Sequence, residues 1–550
     1  MIRAFAGLIV LSLLALPLRT ILAHPLSLSA LPSLQVDSAA YDAIAAEVAR
    51  TRSLDVIPPL QPPGFVLTIA AVYALWGHSW IAAKVFLWLV LVACAAMSAR
   101  LAWRVDGDGR HAWVAALLTA AAPAMHGYTA TIQYEVLAAG WLLLLVLLTD
   151  RARAGHAGIC ALLGLCAAAA TLTREVLVVT VPVLATVVAH QQYRSIGAKR
   201  AIACSLIFAA CATAPVAAWA MLQTGRSGRV VAISDKGPLV MAFGNNPRAN
   251  GTFNAPLAGV AEPSGLAFIR SEPARFIELS GRKFLYFWGV LRDGWNVPRP
   301  SAIWVARSLG GTVPLQWLLP LVRGGWLLVV VAIALVMWRR STWRHWWMLP
   351  ALVLSVLCVH LVTVSSYRFA VPLLPILFAI AAAPIVRTAQ WLRASRYRYR
   401  ACVMLVVAFV AMQTGDWPLR YELMAAQTDG LDVTDVVDAA AGVVRVADAA
   451  RGRRAAMLLS DEALSRGTFD VVIRMKALAD VGEQPIAKAW LQTDAAVPIC
   501  ERVIGARESA AGEWFNVEMS CTLRTDTVAT IVVETTGVAD VAFESLRLRW

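Results

Sequence analysis

EVLAAGWLLLLVLLTDRARAGHAGICALLGLCAAAATLTREV, Glu135 to Val176, is two apolar runs joined by a short basic turn. A bilayer span needs roughly 20 apolar residues, so each run reads as one crossing. The turn between them carries Arg151 and Arg153, while Glu135 and Arg174 lie at the two far ends. Two antiparallel crossings return those far ends to the same surface. The stretch therefore predicts a polytopic membrane protein with an acid and a base at one face and a basic turn at the other.

The rest of the chain repeats this unit. Of its 550 residues, 59% are hydrophobic and only 15% charged, against about 25% charged in a soluble domain; the mean hydropathy is +0.64. Eleven spans are predicted: Ala4–Leu22, Trp80–Trp103, Ala112–Met125, Tyr128–Thr149, Ala157–Leu172, Val176–His190, Ala201–Met221, Pro314–Trp338, Trp346–Val364, Phe369–Val386 and Ala401–Thr414. Alternate connections hold fifteen Lys and Arg, among them Arg104, Arg151, Arg153, Arg194, Arg339 and Arg387. The intervening short connections hold Arg174 and Arg368 and little else. Cations resist translocation, so this asymmetry predicts an N-terminus inside and a C-terminus outside. A cleaved signal peptide ending near Ala23 would leave the parity of the later spans unchanged.

Charge divides the chain in two. Residues 415–550 carry 14 Lys and Arg against 21 Asp and Glu, leaving 35 against 14 for residues 1–414. The basic excess thus belongs to the membrane part and needs no nucleic acid to explain it. Residues 1–414 form the membrane domain, with outer loops at 23–61 and 222–312. Residues 415–466 read as a linker and helix, with Asp432, Asp435 and Asp438 on one solvated face of Leu431–Ala450. Residues 467–550 alternate in polarity about every ten residues and read as a β-sandwich. Of nine cysteines, seven lie in apolar segments and read as core residues. Cys500 and Cys521 lie in the polar tail, where an oxidising compartment would let them pair.

Chemistry is sought at the outer face. After the first span, LPSLQVDSAAYDAIAAEVARTRSLDVIPPLQPPG, Leu31 to Gly64, reads as an amphipathic helix followed by a Pro-Pro break and an interfacial helix. In that first helix Asp37, Tyr41, Ile44 and Val48 share the apolar face, whereas Asp42 and Glu47 fall elsewhere and read as solvated. Asp37 is either a helix N-cap or functional. Glu135 is expected within about two turns of the outer end of the fourth span, and an ionisable group there faces a cavity or a partner. Arg174, Lys283, Tyr367 and Arg368 fall at the same level, where they could equally snorkel to headgroups. A pocket with both signs of charge suits a substrate carrying phosphate beside a reacting centre. MAFGNNPRANGTFN, Met241 to Asn254, is turn-rich and sits in the long outer loop. No Walker A, GxGxxG, HExxH or GxSxG motif is present, which argues against ATP-driven transport, zinc proteolysis and α/β-hydrolase chemistry.

Taken in order, Asp37 with Tyr41, Pro62-Pro63, Glu135, LTR at Leu172–Arg174, GNNP at Gly244–Pro247 and YRFAVPLLP at Tyr367–Pro375 resemble the GT-C superfamily of polyprenyl-phosphate-sugar-dependent glycosyltransferases. That group includes protein O-mannosyltransferases and aminoarabinose transferases. The resemblance covers about residues 5–390. It implies a GT-C-like helical membrane fold of about 11 transmembrane helices with a C-terminal periplasmic β-sandwich domain, in a bacterial inner membrane. It also implies transfer of a sugar, with inversion, from a polyprenyl-phosphate donor to a glycan, lipid or protein acceptor. Asp37 then looks like the general base and Glu135 like the second acid, which in some members helps bind a divalent metal. Arg174, Lys283 and Arg368 become candidates for the donor phosphate, Tyr41 and Tyr367 for sugar or acceptor contacts. Gln61 stands where aminoarabinose transferases carry Lys before Pro-Pro, so lipid A is not implied as the acceptor. The tail resembles a carbohydrate-binding-module sandwich. The alternative is a transporter or flippase for a lipid-linked or anionic substrate, which would place charges near the midplane and break helices in paired halves. A third reading, a non-catalytic sensor, leaves Asp37 and Glu135 unexplained.

Overall fold

A computed structural model describes residues 32–129, 131–247, 249–252, 265–288 and 346–394, a few positions between 7 and 18, and ten strands between residues 421 and 549. Helix α1, Pro32–Thr51, and α2, Pro63–Trp76, precede a long helix α3, Trp80–Asp106. Then come α4, Gly109–Ala121, the short α5, Pro123–Thr129, α6, Glu135–Ala152, and α7, Ala157–Thr173. A 3-10 turn, Glu175–Val179, leads into α8, Thr180–Ile196, followed by α9, Ala198–Ser227. Three shorter helices, α10 at Lys236–Gly244, α11 at Gly265–Ser271 and α12 at Pro273–Phe287, occupy the long loop. The helical part ends with α13, Met348–Val362, a 3-10 turn at Tyr367–Leu373 and α14, Leu374–Ala394.

Among the described residues four helical segments are long and apolar enough to cross a membrane: Trp80–Asp106, Glu175–Ile196, Ala198–Ser227 and Tyr367–Arg387. The helices Ala157–Thr173 and Met348–Val362 are apolar but shorter. The spans expected at Ala4–Leu22, Pro314–Trp338 and Ala401–Thr414 lie largely or wholly outside the described residues. Bundle packing uses small residues at close approaches. A Cβ on Gly164 of α7 would stand 2.5 Å from the Phe208 carbonyl of α9, and one on Gly64 of α2 would stand 2.6 Å from the Thr173 amide.

The connections at 106–109, 152–157 and 196–198 gather at one end of the bundle. There Arg104 pairs with Asp150, Arg387 reaches Asp106 at 3.5 Å, and Gln192 donates to the Ala152 carbonyl at 2.7 Å. The described basic turns thus share one end; the turn with Arg339, Arg340 and Arg344 lies outside the described residues. At the other end Gln223 donates to Ile57 O at 3.2 Å, Trp219 to Ile233 O at 2.9 Å, and the Asp235 amide to Pro59 O at 2.9 Å. Helices α1 and α2 and the turn before Tyr367 belong to this second end.

The tail is ten antiparallel strands: β1 Tyr421–Met424, β2 Thr434–Asp438, β3 Gly442–Ala447, β4 Arg454–Leu464, β5 Gly467–Ala477, β6 Pro485–Gln492, β7 Pro498–Gly505, β8 Phe515–Leu523, β9 Thr527–Thr535 and β10 Val541–Arg549. One sheet runs β2-β3-β10-β5-β8 with β1 also on β10; the other runs β4-β9-β6-β7. Alternate residues from both sheets, Val471, Ile473 and Met475 of β5 with Ala487, Ala489 and Leu491 of β6, share one buried cluster, as two packed antiparallel sheets require. The helix expected over Leu431–Ala450 is instead the β2–β3 hairpin, in which Asp438 pairs with Gly442 and Asp435 with Arg445. Tandem valines on both arms favour the pleated backbone over a helix, and strand structure begins at Tyr421, well before the expected start at 467.

Cys500 and Cys521 form a disulfide with a Cα separation of 5.5 Å. It joins β7, an edge of one sheet, to β8, an edge of the other. Replacing both cysteines with serine is expected to cost about 3 kcal/mol of tail stability, through freed unfolded-state entropy. Thermal unfolding of the full chain, followed by a signal from the tail, measures this loss.

Candidate functional site

The site grows from the short link between α5 and α6. Helix α6 begins at Glu135, so this acid is the first helical residue, within two turns of the helix end as expected. The carboxylate therefore sits at the positive end of the helix dipole, which favours negative charge. Glu135 is fully buried. Its Oε1 accepts a hydrogen bond from Nε of Arg368, which enters from the 3-10 turn Tyr367–Leu373, 233 residues later. Ser366 caps that turn through its hydroxyl, which accepts from the Arg368 amide at 3.2 Å. Glu135 Oε2 has no hydrogen-bond partner among the described residues.

Tyr134, the residue before Glu135, is the hub. The Arg368 guanidinium stands 5.3 Å and the Arg174 guanidinium 5.4 Å from its ring centroid, within the roughly 6 Å range of cation–π attraction. Tyr41 of α1 meets the same ring edge-on at 5.8 Å and Phe65 of α2 at 6.2 Å. Gln133 donates to Ser38 of α1 at 3.4 Å. Four elements thus converge on residues 133–135. Sequence reasoning missed Tyr134; the available signal was an aromatic next to the only acid at the outer end of the fourth span.

Arg174 follows α7 and is 3% exposed. Besides Tyr134, its guanidinium lies 5.1 Å from the Phe369 ring. Its Nη2 is buried with no hydrogen-bond partner among the described residues. Glu175 follows directly, yet no ion pair joins it to Arg174 among the described residues. A buried donor left unmade costs about 1–3 kcal/mol, more when charged. Two guanidinium groups therefore flank one ring, with one carboxylate bonded to only one of them.

Lys283 stands in a second, adjoining group. It is fully buried on α12 and donates to Asn245 Oδ1 at 2.8 Å and to Val362 O at 3.5 Å. The Asn245 amide in turn donates to the Met241 and Val362 carbonyls at 2.9 and 2.7 Å. Gly244 packs so tightly on the Thr363 carbonyl that no Cβ fits, and the Ser365 amide donates to Gly251 O at 3.0 Å. The GNN turn and the segment before Tyr367 therefore form one ledge. A chain of ring contacts links the two groups: Phe287 tilted against His360 at 5.7 Å, His360 stacked on Phe369 at 4.2 Å, and the Arg174 guanidinium over Phe369. No direct contact joins Lys283 to Glu135 or Arg368 among the described residues. Burial pushes the Lys283 ammonium down to about 7, because a charged amine loses its hydration there.

The remaining expected residues are placed as follows. Tyr367 is buried beside Arg368. Asp37 lies on α1 one turn before Tyr41; its side chain lies outside the described residues. Tyr41 and Val48 are buried, as the apolar face predicts, and Glu47 is ion-paired to Arg50 at the surface. Asp42, expected to be solvated, is instead buried, with Tyr73 and His78 as partners. Asp42 shares a face of α1 with the buried Ser38, and that face is covered as well.

Of the two acids expected to hold a divalent metal, only Glu135 is described; the Asp37 side chain lies outside the described residues. Glu135 gives one oxygen to Arg368 and stands beside a second guanidinium. No group of three His, Cys, Asp or Glu side chains is assembled among the described residues.

No family model matches the chain, and no curated protein matches it. Similar solved structures include ArnT from Cupriavidus metallidurans bound to undecaprenyl phosphate, at 14% identity and TM-score 0.36, covering 71% of this chain and 79% of that one. Another is the arabinosyltransferase EmbB from Mycobacterium smegmatis, at 12% identity and TM-score 0.31, covering 99% of this chain and 64% of that one. The C-terminal CBM6 of LamC from Zobellia galactanivorans aligns at 11% identity and TM-score 0.19, over 24% of this chain and 99% of that one. These overlaps are weak, and none assigns a fold or an activity.

Two outcomes follow from the geometry. Glu135→Leu strands the Arg368 charge and is expected to cost about 3–5 kcal/mol, whereas Arg174→Met removes a cation that has no ion pair among the described residues and is expected to leave stability level or raised; thermal unfolding in one detergent compares them. Lys283 holds its proton less tightly folded than unfolded. Between about pH 7 and the ordinary lysine value of 10.5 the unfolded chain binds more protons, so stability rises with pH across that window. Unfolding scans from pH 7 to 10 should show this rise in the wild type and a flatter profile in Lys283→Met.

Proposed function

We propose that this chain is an integral-membrane glycosyltransferase of GT-C type, moving a sugar from a polyprenyl-phosphate donor to an acceptor hydroxyl at the outer face. One observation carries the reading: Arg174 is buried against the same Tyr134 ring as Arg368, with a guanidinium nitrogen that has no hydrogen-bond partner among the described residues. Two buried guanidinium groups over one ring at the end of an apolar bundle match an anionic head whose tail stays in lipid.

In this reading the lipid chain of the donor lies in the bilayer and its phosphate enters between Arg174 and Arg368. The Glu135 carboxylate holds the Arg368 fork in one orientation. Asp37, on the helix whose Ser38 and Tyr41 touch residues 133 and 134, removes the acceptor proton. The acceptor oxygen forms its bond to the anomeric carbon as the bond to the phosphate oxygen breaks. The electron pair leaves on polyprenyl phosphate, where fixed cations stabilise it. One such displacement inverts the anomeric centre. Lys283 stands on the ledge next to Tyr367 and contributes further positive charge below about pH 7, and Tyr41 and Tyr367 border the sugar and acceptor.

The test is transfer from defined lipid-linked sugars by the purified chain in lipid. Asp37→Asn is expected to lose about 10²–10⁴ in kcat, the usual contribution of a general base, and Arg174→Met to lose rate while remaining folded. Wild-type rates in a well-folded Asp37→Asn would remove Asp37 from this role, and absence of transfer from every polyprenyl-phosphate sugar would sink the enzyme reading.

A further inference from the structure

The rings that join the Lys283 ledge to Arg174 carry one polar atom that the proposed chemistry does not use. His360 sits in the last turn of α13 and is 6% exposed. Its imidazole stacks on Phe369 at 4.2 Å with the two planes 10° apart, and Phe287 meets it at 5.7 Å. Its Nδ1 lies 3.1 Å from the Val364 carbonyl oxygen. A carbonyl only accepts, so Nδ1 carries the hydrogen of that bond. In the neutral ring the free lone pair then belongs to Nε2. That nitrogen is buried and has no hydrogen-bond partner among the described residues.

The described neighbours do not supply the missing donor. Ser365 follows Val364, and its own buried hydroxyl has no partner among the described residues. Lys283 donates to Asn245 and to the Val362 carbonyl. Phe287 and Phe369 present only carbon. The stack and the Nδ1 bond hold the ring in one plane and one tautomer. Burying an acceptor without a donor is costly, and a group left so in a folded protein calls for an explanation.

The other contact of Phe369 indicates the kind of donor. The Arg174 guanidinium lies 5.1 Å from the same ring, and its Nη2 is also buried without a partner among the described residues. A charged donor and a neutral acceptor therefore meet one phenyl ring. Phosphate matches the first and a hydroxyl matches the second. A sugar phosphate carries both, and its hydroxyl nearest the phosphate stands on the carbon next to the anomeric centre. The α1 side of the site, where Ser38 and Tyr41 meet residues 133 and 134, is the side assigned above to the acceptor.

We propose that His360 Nε2 accepts a hydrogen bond from the 2-hydroxyl of the donor sugar and so selects donors that carry one. The contact rests on the enzyme reading above, in which Arg174 holds the donor phosphate. His360 moves no proton in this role; it is a specificity residue. A site built to bond a substrate hydroxyl rejects the analogue that lacks it, because its buried acceptor is then left unpaired.

Binding to the full chain in lipid nanodiscs tests this without needing transfer. The probes are plain undecaprenyl phosphate and undecaprenyl-phosphate mannose, glucose and arabinose, each sugar also in its 2-deoxy form. The wild type is expected to bind at least one of the three sugars more tightly than plain undecaprenyl phosphate, and its 2-deoxy form about tenfold more weakly. His360→Asn keeps an amide N–H near the place of Nδ1 but removes Nε2. It should bind that sugar about tenfold more weakly, bind plain undecaprenyl phosphate as the wild type does, and no longer distinguish the 2-deoxy form. His360→Gln, whose amide oxygen reaches toward the place of Nε2, should recover most of the loss. The contact is overturned if the 2-deoxy penalty persists in His360→Asn, or if that variant weakens the sugar and the plain phosphate alike. It is also overturned, with no variant needed, if the wild type shows no 2-deoxy penalty or no preference for any of the sugars. A wild type that binds no undecaprenyl phosphate in any form would overturn the enzyme reading itself.

Discussion

The ion pair between Arg368 and Glu135 organises this end of the molecule. A carboxylate without solvent exposure is tolerable only where something supplies opposite charge. The guanidinium that does so arrives from the other end of the membrane domain. Its arrival places the 3-10 turn Tyr367–Leu373 against α6, and with it Phe369 against Arg174. Tyr134 takes both cations on its ring and Tyr41 on its edge. Removing the pair would therefore disturb the contacts that hold α1, α2 and the turn after α7 together.

The surroundings follow a division of labour. Small residues let backbones close up where rigidity is needed, at Gly64 against Leu172 and Thr173 and at Gly164 against Phe208. Polar side chains appear where the close-packed parts end. Asn245 shows how far this goes: a single amide bonds two carbonyls and accepts from the buried Lys283. The ledge it builds carries the chain toward Tyr367 and Arg368.

Much of this was legible in the sequence because two periodicities dominate it. Alternating apolar runs and basic turns placed Glu135, Arg174 and Arg368 at a common level, and the structure brings these three around one ring. The apolar face of α1 was readable from Tyr41 and Val48. Three features were not. Tyr134 looks like an ordinary interfacial aromatic until two distant arginines arrive. Asp42 sits off the apolar face, and its burial depends on Tyr73 and His78, which local helical spacing does not see. Asp432, Asp435 and Asp438 mimic a helical face by their spacing of three, yet the tandem valines Val436-Val437 and Val443-Val444 commit the segment to a hairpin. What Asp37 contacts is a matter of tertiary placement that its own helix does not decide.

The 233 residues between Glu135 and Arg368 bear on biogenesis. A polytopic chain enters the bilayer from its N-terminus as it is synthesised, so Glu135 is delivered long before its counter-ion exists. Its place as the first residue of α6, and not deep within the helix, lets the acid wait near headgroup water while later segments are threaded. The aromatic pocket around residue 134 can close only when the Tyr367–Leu373 turn emerges. Until then the nascent protein holds an incomplete centre, and the turn that carries Arg368 finishes it.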